Sequence, residues 1–339
     1  MELSVLIAVY NAEKYIGRCL ESLLNQDLPP EKYEILLIDD GSIDGSAEIV
    51  EKYTTQHPQI KLFKEKNKGL YVQRNKLLSL ATGQYIYMMD ADDYLANHSL
   101  NHIFNFALKN NLDIIGFGTE LTIENDFIDL PKPISQYPSP QIMSGKEYMA
   151  KNKYMRDEVW WFILKNRLIK DNHLTFKEGK FHGDVIFTLK AFLNAEKFAF
   201  FDAPVYKYFQ SGQSIMRNNS EKHMLKLIDS GKFLIENYSN LLKEIIQNNR
   251  EDILLHNNLK FKLEQYVYFL MMRMIKAGYS YKRLKPFLMF FAKVDAYPLS
   301  NLKGGLYDEF KYSTFKKIYN SKLLLSLFIP LRKFINQLR

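Results

Sequence analysis

The order of apolar and polar positions in the first hundred residues switches between two periods. Residues 3–9, Leu-Ser-Val-Leu-Ile-Ala-Val, form a short and nearly continuous apolar run of strand length, broken by Tyr10-Asn11. From Ala12 the period lengthens. Tyr15, Ile16, Cys19, Leu20, Leu23 and Leu24 recur at three- and four-residue intervals, the stripe of an amphipathic helix, until Pro29-Pro30 closes the segment. Tyr33 to Ile38 is a second apolar run and ends in Asp39-Asp40-Gly41-Ser42. Strand, helix and strand with short joints make a βαβ unit, whose strands are parallel. The spacing then predicts a helix over 45–56 with Ala47, Ile49, Val50 and Tyr53 turned inward, and a short strand from Ile60 to Phe63. A turn at Asn67-Lys68-Gly69 leads to a helix from Leu70 to near Gly83, and Tyr85 to Met89 is the fourth strand. The expectation is an α/β fold, a mixed but mostly parallel sheet with flanking helices.

The fourth strand runs straight into Asp90, Asp92 and Asp93. Ligands of open α/β sheets collect beyond the carboxyl ends of the strands, and parallel strands bring the acids at 39–40 and 90–93 to one crevice. Carboxylates crowded there repel one another unless a hard divalent cation joins them, and such an ion brings phosphate oxygens with it. The bland alternative is a polar strand end feeding a helix capped by Asp93 or Asn97. Neither G-x-G-x-x-G nor a P-loop follows the first strand, which disfavours a dinucleotide dehydrogenase and a P-loop NTPase.

Further on, Leu100, Ile103, Phe104 and Ala107 predict another helix, 113–118 a strand, and the proline-rich 125–141 a surface loop. After residue 220 the period is helical over 225–242 and 254–277. The dense run from Tyr266 to Met274 reads as a helix packed on two sides. The 339 residues are 47% apolar and 25% charged, an ordinary globular balance. The single cysteine, Cys19, excludes an internal disulfide framework and fits a reducing compartment, and the first residues do not read as a signal peptide. The net charge of +8 changes the picture because it is unevenly placed: residues 251–339 hold 16 Lys/Arg against 6 Asp/Glu. The end from Phe315 onward mixes these cations with Leu, Phe and Ile. That suits a helix lying in a bilayer surface, or one docked on the protein itself.

Val9-Tyr10-Asn11, Asp39-Asp40-Gly41-Ser42-Ile43-Asp44, Asn67-Lys68-Gly69, Arg74-Asn75, Ala81-Thr82-Gly83 and Asp90-Ala91-Asp92-Asp93 resemble, in order, the motifs of family 2 glycosyltransferases. Later, Trp160 and the segment Phe176-Lys-Glu178-Gly179-Lys-Phe-His182-Gly183-Asp184 fit the same pattern, and Gln213-Ser214-Ile215 fits its small closing loop. Tyr71 stands where that pattern has small residues, and Gly183 where it has Glu.

The resemblance implies a GT-A (Rossmann-like) catalytic domain over 1–220 and a helical region over 221–339. It implies that Ala8, Tyr10, Asn11, Asp39, Arg74, Asp90, Ala91 and Ser214 bind the nucleotide sugar. Asp39 and the Tyr10 region would hold the base, Asp90 the ribose. Asp92 would hold Mn2+ or Mg2+, Asp184 would be the general base, and Trp160 and His182 would face the acceptor. Trp160 reads equally as core, and His182 as a structural histidine. The position of Asp184 at a helix opening predicts a lowered pKa.

The implied reaction is inverting, metal-dependent transfer from a UDP-linked sugar to a glycan or lipid-linked acceptor of a cell-surface polysaccharide, on the cytoplasmic face of the membrane. A sugar-nucleotide-forming nucleotidyltransferase and a non-catalytic nucleotide-sugar binder are the alternatives. No nucleic-acid recognition motif is present.

Overall fold

A computed structural model describes residues 1–123, 127–210, 220–248 and 252–337, and the chain divides into two compact units. The first comprises Met1–Tyr148, Arg156–Gly179 and Gly183–Ile215, the second Met149–Met155, Lys180–His182 and Met216–Arg339.

In chain order the elements are β1 (Leu3–Val9), α1 (Ile16–Leu24), β2 (Tyr33–Asp39), α2 (Ser46–Gln56), β3 (Ile60–Lys64), α3 (Leu70–Leu80), β4 (Tyr85–Asp90) and β5 (Tyr94–Leu95). They continue with α4 (Leu100–Asn110), β6 (Ile114–Thr122), α5 (Gly145–Lys151), β7 (Phe162–Lys165), α6 (Asn166–Asp171), α7 (Gly183–Asn194) and β8 (Phe198–Phe209). Among the described residues the strands form one sheet in the order β3-β2-β1-β4-β7-β6-β8-β5. β1 runs parallel to β2 and β4, β2 to β3, and β6 to β8, whereas β7 is antiparallel to both its neighbours and β5 to β8.

The central strands are apolar throughout because helices cover both faces of a mostly parallel sheet. Leu3, Val5, Ile7, Ile35, Leu37, Tyr85 and Tyr87 are all buried, and each such side chain contributes about 1.5–3 kcal/mol. In the register, Val9 lies opposite Asp39 and Ala8 opposite Asp90. With strands about 4.8 Å apart, the two acids stand roughly 10 Å from each other on one crest. The turn after β2 needs a glycine. Gly41 has φ +73°, and a Cβ there would lie 2.9 Å from the backbone nitrogen of Asn67.

The second unit is helical: α8 (Glu221–Asn248), α9 (Ile253–Lys276), α10 (Tyr281–Lys293), α11 (Phe310–Asn320) and α12 (Lys322–Gln337). The aromatic run expected to pack on two sides is buried only in part, with Met272 37% exposed. Val267, Tyr268, Leu270, Met271 and Met274 are buried, and Tyr268 meets the rings of Tyr307, Tyr312 and Tyr319. The buried Glu264 accepts hydrogen bonds from the backbone nitrogens of Asn301 and Leu302 and from the Asn301 amide, which anchors the segment leading into α11. Among the described residues no helix is long and apolar enough to cross a membrane.

Candidate active site

The crest is built by backbone-to-side-chain bonds between the loops that follow β1 and β2. The Asn11 N–H donates to Ser42 Oγ at 3.0 Å and the Ile43 N–H to Asn11 Oδ1 at 3.0 Å. The Ala12 N–H reaches Ser46 Oγ at 2.8 Å, and the Glu13 N–H reaches Asp44 Oδ2 at 3.1 Å. These bonds hold Asn11 in its left-handed conformation (φ 51°) and leave the neighbouring Tyr10 ring half exposed at the mouth of the crest.

The paired acids of β2 divide the work. Asp39 is 5% exposed; its Oδ2 accepts the Ser42 N–H at 3.3 Å, and its Oδ1 is buried without a partner among the described residues. Such an atom costs stability until a donor arrives. Asp40 faces inward. It accepts the N–H groups of Lys68 at 2.8 Å and Gly69 at 2.9 Å, together with the Gln73 amide, and so fixes the start of α3.

α3 carries Arg74, which is 3% exposed. Its Nη2 donates to Asp90 Oδ1 and its Nη1 to Asp184 Oδ1, both at 2.6 Å. Burial alone would lower the arginine's pKa, but the charges of Asp184 and Asp90 outweigh it and the net direction is upward. Asp184 sits in the first turn of α7, where a helix N-terminus favours an ionised acid. The lowered pKa expected from that position is not what results. Burial pushes the Asp184 carboxyl up to about 6, against the opposing charge of Arg74 and with Asp90 adding to the rise. Desolvation of the carboxylate exceeds the gain from the helix end.

Asp92 is also pushed up to about 6, by burial first and then by the charge of Asp90. Its backbone oxygen accepts from Arg18 Nη2 at 3.1 Å, and the Arg18 guanidinium lies 4.4 Å from the ring centroids of both Tyr94 and Phe209. Asp93 caps nothing. It is buried under β8, where its carboxylate accepts the Tyr206 hydroxyl and the Phe209 N–H. Nor does Asn97 cap α4: Gln26 Oε1 accepts the Ser99 and Leu100 N–H groups there. Among the described residues no three His, Cys, Asp or Glu side chains are grouped to hold a metal. Asp92 therefore fits a cation only as one hard oxygen ligand, with the others coming from a diphosphate and water.

One acceptor-side expectation changes. Trp160 is 3% exposed, and the Tyr206 ring stacks on it at 4.4 Å and 7°, with Tyr208 at 5.7 Å. A sugar platform needs an open ring face, so Trp160 belongs to the core beneath the crest. His182 falls in the helical unit, with Nε2 3.3 Å from Nη1 of Arg273. Ser214 lies outside the described residues. Ala8 and Ala91 are at the strand ends beside Asp90, as the register requires. Asn75 stood in the sequence only as part of the Arg74-Asn75 motif, with no role of its own. Its amide donates to Phe176 O and Glu178 Oε1, both at 3.0 Å, and its oxygen accepts the Phe176 N–H at 2.8 Å, tying α3 to the segment before α7. A polar residue one place beyond Arg74, on the same helix, was the available signal.

Acids from β2 and β4 stand on the carboxyl crest of the sheet, and Arg74 joins Asp90 there to Asp184 of α7. Residues 4–172 match the model of glycosyl transferase family 2. The putative glycosyltransferase EpsH of Bacillus subtilis is 30% identical over 71% of this chain and 69% of its own length. The poly(ribitol-phosphate) β-N-acetylglucosaminyltransferase TarS of Staphylococcus aureus is 28% identical over 61% of this chain, which is 35% of that longer protein. Among solved structures, TarS 1–349 in complex with UDP-GlcNAc superposes with a TM-score of 0.58 at 23% identity, over 94% of this chain and 91% of that one. The mannosyltransferase PcManGT from Pyrobaculum calidifontis, in complex with GDP-Man and Mn2+, gives 0.54 at 13% identity, over 96% and 87%. The chain belongs to glycosyltransferase family 2, and its fold is GT-A.

Proposed function

We propose that the protein is an inverting, metal-dependent glycosyltransferase of cell-surface polysaccharide synthesis, moving a sugar from a UDP-linked donor to a glycan or lipid-linked acceptor. The observation that carries the reading is the pair of 2.6 Å bonds by which Arg74 joins Asp90, on the donor side of the crest, to Asp184. In this reading the buried Asp39 Oδ1 accepts an N–H of the base, and the exposed Tyr10 covers it. Asp90 holds the ribose. Asp184 takes the proton of the acceptor hydroxyl as that oxygen forms its bond to the anomeric carbon. The bond from the anomeric carbon to the diphosphate oxygen breaks, and its electron pair leaves with the nucleoside diphosphate. Arg74 keeps the two acids apart in role while offsetting their repulsion. Asp92 would be the protein ligand of Mn2+ or Mg2+, and the ion supplies positive charge to the leaving diphosphate.

A thermal-shift panel of UDP-, GDP-, dTDP- and CMP-sugars with and without Mn2+ tests the reading. A ligand at a hundred times its Kd stabilises the native state by about 2.7 kcal/mol. A rise in Tm with a UDP-sugar and Mn2+ together is the expected result. Equal shifts with all four nucleotides, or none, would count against it. Conversion of a sugar phosphate and UTP to a UDP-sugar would favour the nucleotidyltransferase alternative.

A further inference from the structure

Tyr71 on α3 and Gly183 at the start of α7 lie against each other. A Cβ on Gly183 would stand 3.0 Å from Cε1 and Cζ of the Tyr71 ring and 3.1 Å from Cδ1, well inside the 3.5–4.0 Å at which carbons pack. Gly183 is not among the residues with positive φ. Its backbone would accept a side chain, and the three atoms nearest to a Cβ there all belong to the Tyr71 ring. That ring is itself held. It stacks on Phe176 at 5.6 Å and 15°, and Phe176 stacks on Phe187 of α7 at 4.3 Å and 4°. The Arg74 guanidinium lies 5.8 Å from the Tyr71 centroid and 5.6 Å from that of Phe176. The Tyr71 hydroxyl faces the backbone of Gly183 and Asp184.

We propose that Tyr71 is a positioning residue for Asp184. Its ring, wedged between α3 and the bare backbone of Gly183, sets the first turn of α7 and with it the reach of the Asp184 carboxylate toward Arg74 and the acceptor oxygen. The inference rests on Asp184 being the base. A side chain at 183 must push the ring or the helix start by a few tenths of an ångström, and a shift of the helix start carries the Asp184 carboxylate with it. A misplacement near 1 Å costs on the order of 100-fold in rate, and a smaller one correspondingly less.

The test uses the full chain and the release of UDP from whichever of UDP-glucose, UDP-galactose and UDP-N-acetylglucosamine the wild type consumes fastest. Gly183→Ala should lower kcat at least ~10-fold and leave KM and the calorimetric affinity for UDP with Mn2+ within about twofold. Tyr71→Leu alone removes the wedge and should lower kcat at least ~10-fold at an unchanged affinity for UDP with Mn2+, whereas Tyr71→Phe, which keeps the ring, should retain most of the wild-type rate; a merely structural role for Tyr71 predicts a lower Tm and no such split. Crystal structures of the wild type and Gly183→Ala give a second readout: the Asp184–Arg74 bond should be lost or lengthened in the variant. The proposal is overturned if Gly183→Ala turns over within twofold of wild type, if Tyr71→Leu keeps the wild-type rate, or if the bond is unmoved. Asp184→Asn separates the two layers. An inactive Asp184→Asn beside a fully active Gly183→Ala sinks the positioning alone, whereas an active Asp184→Asn removes the base and the positioning together.

Discussion

Asp184 and Asp39 are the two side chains whose present discomfort is most informative. Burial raises the Asp184 carboxyl from an ordinary value of 3.8 to about 6. A base must be ionised, so kcat/KM should fall about tenfold per pH unit below pH 6, and Asp184→Asn should slow transfer at least ~100-fold at neutral pH. Stability runs in the other direction. A group whose folded value is raised contributes most when protonated, below about pH 4, and that contribution is lost as the pH rises through 6. Asn cannot ionise, so the Tm of Asp184→Asn relative to wild type should climb between pH 4 and 8. A flat difference across that range would mean that the carboxyl titrates normally. Asp39 presents a buried oxygen with no partner among the described residues. Asp39→Ala removes that unsatisfied acceptor together with the 3.3 Å bond from the Ser42 N–H, so the Tm of the donor-free protein should change little. The substitution should nevertheless weaken UDP binding by about 1.5–3 kcal/mol, the worth of a charged hydrogen bond. Calorimetry with UDP and Mn2+ checks this, and unchanged affinity in Asp39→Ala would move the base elsewhere. The companion measurement is Asp92→Asn, which should abolish the dependence of that affinity on Mn2+.

Asp40, beside Asp39 in the sequence, acts on an element rather than on a ligand. Its carboxylate holds the Lys68 and Gly69 N–H groups and the Gln73 amide, and so sets where α3 begins and where Arg74 points. Asp40→Ala takes the acceptor from the Lys68 and Gly69 N–H groups and from the buried Gln73 amide, at a cost of about 2–4 kcal/mol. The fall in Tm should be accompanied by faster amide exchange at 68–73, and unchanged exchange there would remove Asp40 from this role. Elements of this kind divide into those the sequence displays and those it hides. β1, β2 and β4, with α1 and α4, were legible because their burial is periodic and local, and the acids that end β2 and β4 were visible because polar residues interrupt apolar runs. β5 was not, since Tyr94–Leu95 are two residues paired with β8 from more than a hundred positions away. The role of Asp93 was hidden for the same reason, because its partners Tyr206 and Phe209 come from β8. The antiparallel insertion of β7 between β4 and β6 follows from tertiary packing, not from any pattern within Phe162–Lys165. Trp160 had two readings in the sequence, and only the stacked Tyr206 ring decides between them.

At the scale of the whole molecule, the uneven charge calls for a partner. Residues 311–333 contain Lys311, Lys316, Lys317, Lys322, Arg332 and Lys333 and no acid. α12 buries Leu325 and Ile329 against its own unit, while Leu323, Leu324, Leu327 and Leu331 are exposed, Leu323 by 69%. Exposed leucines at spacings of four, beside cations, are what an interfacial helix presents to an anionic bilayer. We propose that this face holds the enzyme on the cytoplasmic surface of the membrane, near a lipid-linked acceptor. Removing the tail is a poor test, because Tyr319 and Leu325 are buried and the Tyr297 hydroxyl donates to the Tyr319 carbonyl at 2.8 Å. A cut after Ser313 should unfold the helical unit. Substituting Leu323, Leu327 and Leu331 together by Ser alters the exposed stripe and spares the buried one. Wild type should sediment with vesicles of phosphatidylglycerol and phosphatidylcholine but not with phosphatidylcholine alone. Each cation near the surface adds about 1 kcal/mol, and a salt increase that shortens the screening length from about 10 Å to about 3 Å should release most of it. The triple variant should lose vesicle binding while keeping the wild-type Tm and affinity for UDP with Mn2+. Sedimentation of the variant equal to wild type would leave the leucine face without a membrane role, and tighter capture by RNA than by anionic vesicles would assign the basic surface to nucleic acid instead.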